Sequence, residues 1–302
     1  MAAFPDFKPL KLEDRGLLQE ALWAYQPEIS ELTFSNLFIW SSHYRCRWSK
    51  AGNWLLLLEE REGSEPSFLQ PVGPSPRLEV TRMALGWLRS ERGVAKPRIE
   101  RADPSFVLEV SRAPEFAVIP QREHFDYVYR TSDLITLQGG KYHAKRNHIS
   151  RFLEEHGSGF RFVPMGPENL DLCVEFQERW CERRRCDEDL NLLEEWTAIR
   201  LGLTHYQALS IQGAAIFIGE RVEAFTFGEL LNPQSAVVHI EKANPEIPGL
   251  YALINQRFCQ EYWPAVPFIN REQDLGEEGL RKAKLSYHPV RLVEKYRVEL
   301  AG

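Results

Sequence analysis

The sequence predicts an α+β protein of two tandem lobes, each built on a mostly antiparallel sheet whose middle strands splay apart. Three observations predict it. At 302 residues the chain is long for one core, since about 150 residues is a usual domain size. Its short β-type runs are joined by tight turns, such as Ala51-Gly52-Asn53 and Gly219-Glu220, rather than by helical crossovers. The same order of helices and strands also occurs twice, which divides the chain into lobes 1–125 and 126–302.

In the first lobe, Leu17, Leu18, Ala21, Leu22 and Tyr25 mark a helix that Pro27 ends, and Ser30 caps a second over 31–40. Strands follow over 44–48, 54–59 and 67–71, then a helix over 78–92, a strand over 98–101 and a short helix over 104–112. The second lobe opens with a strand over 160–163 and helices over 168–183 and 192–203. Four strands over 206–212, 214–218, 222–230 and 236–242 come next, then a helix over 250–262. A strand over 268–271, a helix over 277–285 and a last strand over 292–298 complete it.

A net charge of -6 and a pI near 5.8 argue against indiscriminate nucleic-acid binding but leave room for a local basic groove. The N-terminus has no signal-type apolar run, and the longest apolar runs, 54–58 and 237–240, fall far short of the roughly 18 residues that span a bilayer. A cytoplasmic protein is expected, with any membrane contact peripheral and no transmembrane segment. The five cysteines form no CxxC pair, so reduced, mostly buried thiols are expected and no metal site. Neither a P-loop nor GxGxxG, GxSxG or HExxH occurs.

Three segments are dense in chemically capable side chains. The first, 139–152, lies between the lobes. As a helix from Lys141 it would set Lys141, Lys145 and His148 on one face, with Arg146 able to grip a phosphate or carboxylate bidentately and Asn147 beside it. A solvated linker helix would show the same pattern. The second is His239-Ile240-Glu241-Lys242. Strand alternation sends His239 and Glu241 to one face, where two titratable groups suit acid–base work, although an ion pair through Glu241 or Lys242 fits equally. In the third, the strand 268–271 runs into Asn270-Arg271-Glu272-Gln273-Asp274, and Lys282, Lys284 and Tyr287 follow. Turn formation alone would favour Gly, Asn and Asp over Arg and Gln. The run Glu182-Arg183-Arg184-Arg185 reads as surface.

The order of elements is that of the acetyltransferase (GNAT-like) fold. The stretches Asp126-Tyr127-Val128-Tyr129, Gly140-Lys141-Tyr142-His143-Ala144-Lys145-Arg146-Asn147-His148, His239-Ile240-Glu241-Lys242, Asn270-Arg271-Glu272-Gln273-Asp274-Leu275-Gly276 and Leu280-Arg281-Lys282-Ala283-Lys284-Leu285-Ser286-Tyr287-His288-Pro289 together resemble a bacterial family similar to the C-terminal domain of phosphatidylglycerol lysyltransferase. That resemblance implies tandem GNAT-like lobes, as in the Fem aminoacyltransferases. It also implies an acyltransferase whose donor is aminoacyl-tRNA or acyl-CoA and whose acceptor is an amine or hydroxyl on a lipid headgroup or small molecule. Pro248-Gly249 stands where acetyl-CoA users carry a Gly-rich pyrophosphate loop, which favours the tRNA ester. A non-catalytic module for anionic ligands is the rival.

On this reading Glu241, with His239 beside it, is the base or acceptor-orienting group, and Tyr287 is the acid for the leaving group. Lys141, Lys145 and Arg146 hold donor phosphates, and Asn147 is a further substrate contact. Arg271, Lys282 and Lys284 add positive charge, while Asn270, Gln273 and Asp274 complete the substrate contacts. Lys141, Arg146, Glu241, Arg271 and Lys284 are expected in one cleft of the second lobe. The first lobe is expected to be structural, with the deepest polar pocket outside residues 1–125.

Overall fold

A computed structural model describes residues 2–300 of the chain. The chain folds into two compact units: the first comprises Met1–Asp126, Gln273–Glu278 and Leu292–Gly302, the second Tyr127–Glu272 and Gly279–Arg291. The contiguous lobes 1–125 and 126–302 are therefore interleaved, because the chain returns to the first unit twice after leaving it.

The elements run in order β1 (Lys8–Pro9), α1 (Arg15–Tyr25), α2 (Phe34–Ile39), α3 (Ser41–Tyr44), β2 (Arg47–Ala51), β3 (Trp54–Glu59), β4 (Ser67–Leu69), α4 (Leu78–Arg92), β5 (Arg98–Ala102), α5 (Pro104–Val110) and β6 (Phe116–Pro120). After β7 (Asp126–Arg130) come α6 (Thr131–Thr136), α7 (His143–His156), β8 (Phe160–Pro164), α8 (Leu170–Arg184), α9 (Leu190–Thr204), α10 (Tyr206–Leu209), β9 (Gln212–Ile218), β10 (Arg221–Asn232) and β11 (Ser235–Ala243). The last elements are α11 (Leu250–Tyr262), β12 (Phe268–Asn270), α12 (Glu278–Leu285), β13 (Arg291–Val293) and β14 (Tyr296–Leu300).

Local chemistry explains many of the boundaries. Gly52, at φ 60°, makes the two-residue turn from β2 to β3, and Gly219 does the same between β9 and β10. Asp103 caps α5 by accepting from the Phe106 amide, and Pro104 fills the first helical position, where its missing N–H costs nothing. Residues 206–212, expected as a strand, are instead a helical turn followed by the start of β9. Tyr206 and Leu209 are both buried, a three-residue spacing that suits a helix and that a short apolar run does not disclose.

The sheets share one plan. The first runs β1-β2-β3-β4-β5-β14-β6 and the second β8-β9-β10-β11-β12-β7-β13. In each, the fourth and fifth strands pair in parallel, β4 with β5 and β11 with β12. The single strand expected over 292–298 is two strands, β13 and β14, serving different sheets.

β14 joins the first unit for two physical reasons. Val298, fully buried, lies in a core with Leu58, Phe68, Leu85, Ile99 and Phe106. Lys295, also fully buried, donates to Asp126 at 2.7 Å and to Glu31 at 2.6 Å. Nearby, Arg101 pairs with Glu59 and lies over the Tyr44 ring at 4.6 Å. Removing one partner from such a buried set strands a charge.

Cys181 and Cys186 are disulfide-bonded, with Cα atoms 5.0 Å apart, so they are not the reduced thiols expected. α8 ends on Arg185 in the left-handed conformation, which folds the chain back and brings the two sulfurs together. Cys46, Cys173 and Cys259 are buried thiols. No helix among the described residues is long and apolar enough to cross a membrane.

Replacing Val298 with Ala should cost about 2 kcal/mol, from two lost methyl groups and the space they leave. Hydrogen exchange should show β5 and β6, the neighbours of β14, losing protection before β9 to β11. Equal loss in both sheets would mean that β14 is not the element closing the first.

Candidate functional site

The second unit is organised around two strands that part. β11 and β12 share three rungs, Ser235 with Phe268, Ala236 with Ile269 and Val237 with Asn270. β12 then stops while β11 continues to Ala243. On its other side β11 carries a bulge: Phe227 faces Ile240 and Gly228 faces Val238, so His239 has no rung of its own. Gly228 is required there, because a Cβ would lie 2.1 Å from the Val237 carbonyl oxygen.

With the bulge, His239 and Glu241 do not act as the single pair that strict alternation predicts. His239 is clamped between carboxylates, with Nε2 3.0 Å from Glu229 and Nδ1 2.8 Å from Glu272. Burial alone would lower its pKa, but the two hydrogen bonds outweigh burial and raise it to about 9. It is an imidazolium at neutral pH and cannot serve as the base beside Glu241. Glu272 holds its place with φ at 55°, strain of the kind found at functional sites.

Glu241 belongs to a different group. Its Oε1 accepts from Arg271 Nη2 at 2.8 Å and its Oε2 from Asn255 Nδ2 at 2.8 Å. The Arg271 guanidinium lies 4.7 Å from the Tyr287 ring and 5.6 Å from that of Tyr129, and Lys145 Nζ sits 4.0 Å from the Tyr287 ring. The Lys284 ammonium donates to the Arg271 carbonyl, and the Tyr129 hydroxyl donates to that of Lys284 at 2.8 Å. Burial opposes the charge on Arg271, yet the Glu241 carboxylate raises its pKa. Burial also raises the Tyr129 and Tyr287 phenols, so Tyr287 is a poor acid for a leaving group.

Two atoms of this group are buried and make no hydrogen bond among the described residues: Arg271 Nη1 and Asn255 Oδ1. An unmade buried hydrogen bond costs about 1–3 kcal/mol. The Arg271 and Glu241 side chains keep 13% and 12% of their surface exposed, while the two spare atoms themselves are buried. The site offers one donor and one acceptor about a charged pair.

The structure brings together Glu241, Arg271, Lys145, Lys284 and Tyr287. It does not bring the other expected residues to them. Arg146 donates to the carbonyls of Leu137 and Gly139, satisfying a turn in which both residues have positive φ; it secures the start of α7 rather than holding phosphate. Lys141 is exposed and lies 3.5 Å from Asp133, and Asn147 bonds His143 on the surface of α7 at 3.1 Å. Lys282 is exposed on α12. Asn270 is buried, and its Oδ1 accepts from the Glu272 amide at 2.8 Å, shaping the turn.

Gln273 and Asp274 fall in the first unit. Gln273 Oε1 is 3.4 Å from Ser30 Oγ, and Asp274 accepts from Arg122 at 3.2 Å. Sequence reasoning missed Asn255, Tyr129 and Glu229. Asn255 left a signal as a polar residue between Ile254 and Phe258 on the buried face of α11, and Tyr129 stands in the stretch Asp126-Tyr127-Val128-Tyr129; Glu229 left none.

The larger cavity lies elsewhere, against the expectation for residues 1–125. A space of about 820 Å³ in the first unit is lined by Tyr25, Arg77, Asp103 and Ser105 among others, against about 540 Å³ beside β8 in the second. Arg77 and Asp103 are already satisfied by neighbouring residues: Arg77 donates to Glu109 at 2.9 Å, and Asp103 accepts from Gln70 at 2.6 Å and from the Phe106 amide at 2.8 Å. The spare donor and acceptor beside Glu241 therefore mark the better candidate site.

Residues 24–299 match the family described as phosphatidylglycerol lysyltransferase, C-terminal. A solved structure of a conserved protein of unknown function from Bacteroides thetaiotaomicron is 31% identical, covers 97% of this chain and 99% of its own, and superposes with a TM-score of 0.91. The structure of L-PGS from Bacillus licheniformis shares the fold at 13% identity and a TM-score of 0.65, over 100% of this chain and 93% of that one. An uncharacterised protein of Mycoplasmoides gallisepticum is 21% identical over 175 residues, 58% of this chain, and the match spans only 56% of that relative's length. The two units are tandem GNAT-like lobes, as expected from the order of elements.

The His239 clamp makes stability depend on pH. Because the folded-state pKa of about 9 exceeds the unfolded value near 6.5, the clamp contributes fully below about pH 6.5 and is lost as pH rises through about 9. In urea unfolding, the advantage of the natural protein over His239→Gln should therefore be largest near pH 6 and shrink towards about pH 10. A difference that stays flat would show that His239 is neutral in the fold.

Proposed function

Since the chain belongs to the phosphatidylglycerol lysyltransferase C-terminal family, we propose that it transfers an aminoacyl group from an aminoacyl-tRNA to an amine or hydroxyl acceptor in the cytoplasm. One observation carries the reading: the Arg271–Glu241–Asn255 group, with its spare donor and acceptor. An aminoacyl ester is already activated, so its transfer needs alignment, charge stabilisation at the carbonyl oxygen and a route for one proton. Arg271 Nη1 suits the oxygen that becomes negative. Asn255 Oδ1, beside the Glu241 carboxylate, suits the ammonium of an amino acid. A plain acyl group would leave that acceptor without a partner.

The acceptor molecule is a small one or a lipid headgroup. Exposed Lys141 and Lys282 lie outside the core of the site, where their charge would suit the phosphates of a long donor. Incubating the protein with radiolabelled aminoacyl-tRNAs and candidate acceptors tests the reading through loss of ester and appearance of product. Arg271→Ala should lower kcat/KM by roughly 10- to 150-fold, the equivalent of about 1.5–3 kcal/mol for a hydrogen bond to a charged group. Failure to bind or consume any aminoacyl-tRNA, or consumption of acyl-CoA instead, would overturn the proposal.

A further inference from the structure

Resting on that transfer reading, we propose that Lys145 is the proton carrier: its amine takes the proton of the acceptor nucleophile and returns it to the oxygen of the departing ester. The other titratable groups beside the ester are committed elsewhere. Both oxygens of Glu241 are occupied, by Arg271 and by Asn255. His239 is a fixed imidazolium between Glu229 and Glu272. The Tyr129 and Tyr287 phenols are strengthened against ionisation by burial.

Lys145 differs from every other cation of the group. It is half-buried, its ammonium rests on the Tyr287 ring at 4.0 Å, and no carboxylate among the described residues pairs with it. It lies in the first turn of the fourteen-residue α7, where the positive end of the helix dipole disfavours a second positive charge. Arg271 shares the same aromatic ring at 4.7 Å. Of the charged groups facing it, Arg271 opposes its protonation and Glu241 favours it. Burial, and after it Arg271, hold the amine below the ordinary lysine range. An amine so placed gives up its proton more readily than an ordinary lysine, as a phosphate-gripping lysine need not.

The step balances without a co-reactant. The acceptor X–H gives its proton to Lys145 Nζ, and the freed pair on X forms the X–C bond at the ester carbonyl, whose oxygen takes the charge facing Arg271 Nη1. Collapse breaks the bond from carbon to the ribose oxygen, and that oxygen takes the proton from the Lys145 ammonium. The lysine is regenerated, and the sum is one proton moved from acceptor to leaving hydroxyl.

Lys145→Arg separates the two roles, because arginine keeps the positive charge and the ring contact but does not release its proton. With melting temperatures confirming folded variants, Lys145→Arg and Lys145→Ala should both lose at least about 100-fold in kcat, with KM for the donor changing only a few-fold. The acid limb of the rate–pH profile should disappear in Lys145→Arg. Lys145→Cys alkylated with 2-bromoethylamine should regain part of the rate; the reagent reaches that position because Cys46, Cys173 and Cys259 are buried and Cys181 is bonded to Cys186. Near-normal turnover by Lys145→Arg would reduce Lys145 to a charge and overturn the inference. Competitive acetylation of the free protein across pH needs no substrate. A Lys145 amine titrating below a free lysine side chain supports the proposal, and one titrating like a free lysine overturns it even where transfer is seen. A protein that transfers no aminoacyl group fails on the function, while the acetylation result still decides the lysine.

Discussion

The site depends on β11 outrunning β12. Once the ladder ends at Val237 and Asn270, the backbone beyond needs new partners, since buried amides and carbonyls are rarely left unpaired. β7 supplies some: the Arg271 amide donates to the Tyr127 carbonyl at 2.9 Å and the Tyr127 amide to that of Glu272 at 3.1 Å. Side chains supply the rest, Asn270 at the Glu272 amide and Lys284 at the Arg271 carbonyl. Arg271 is thereby fixed where it meets Glu241 across the gap. The bulge at His239 completes the arrangement by giving one short strand segment two separate electrostatic jobs, a clamp and a reactive pair.

The two units solve the same placement problem differently. In the first, Arg101 follows Ile99 by two positions, as Arg271 follows Ile269 in the second, and both isoleucines sit on the parallel ladder. Arg101 and its partner Glu59 keep only 6% and 8% of their side-chain surface exposed. Lys295, Glu31 and Asp126 complete a sealed set in which carboxylates match or exceed the cations. Around Glu241 the balance is reversed: Arg271 and Lys145 face one carboxylate, and the pair is less deeply buried. A surplus of positive charge in a half-open site is stabilised by a ligand that carries or develops negative charge.

Much of this was legible in the sequence because it rests on local rules. Turn glycines and apolar periodicity gave most elements, and the polar run after β12 pointed to Arg271; the expected cap Ser30 instead bonds Asp126, and Thr33 caps α2. What stayed hidden was long-range. No local signal says that β14 completes the first sheet, since its pairing with β5 and β6 spans the length of the chain. The alternation rule placed His239 beside Glu241, and one bulged residue undid it. Arg146 looked like a phosphate grip because its type is right; only the positive φ of Leu137 and Gly139 shows which carbonyls need it. Gln273 and Asp274 adjoin Arg271 in sequence, yet the chain has crossed to the other unit by then.

The crossing of β14 has a consequence for synthesis on the ribosome. β6 is joined to the first sheet through β14 alone, so the N-terminal unit, although translated first, has an open slot between β5 and β6 until Tyr296–Leu300 emerges. During that interval two unpaired strand edges are exposed, the kind of surface that recruits chaperones or neighbouring nascent chains. The second unit needs nothing from β14, but its own edge strand β13 emerges only just before it. Both sheets therefore wait for residues 291–300, the second for β13 and the first for β14, and the Lys295 ammonium reaches the carboxylates of Glu31 and Asp126 only once that segment has emerged.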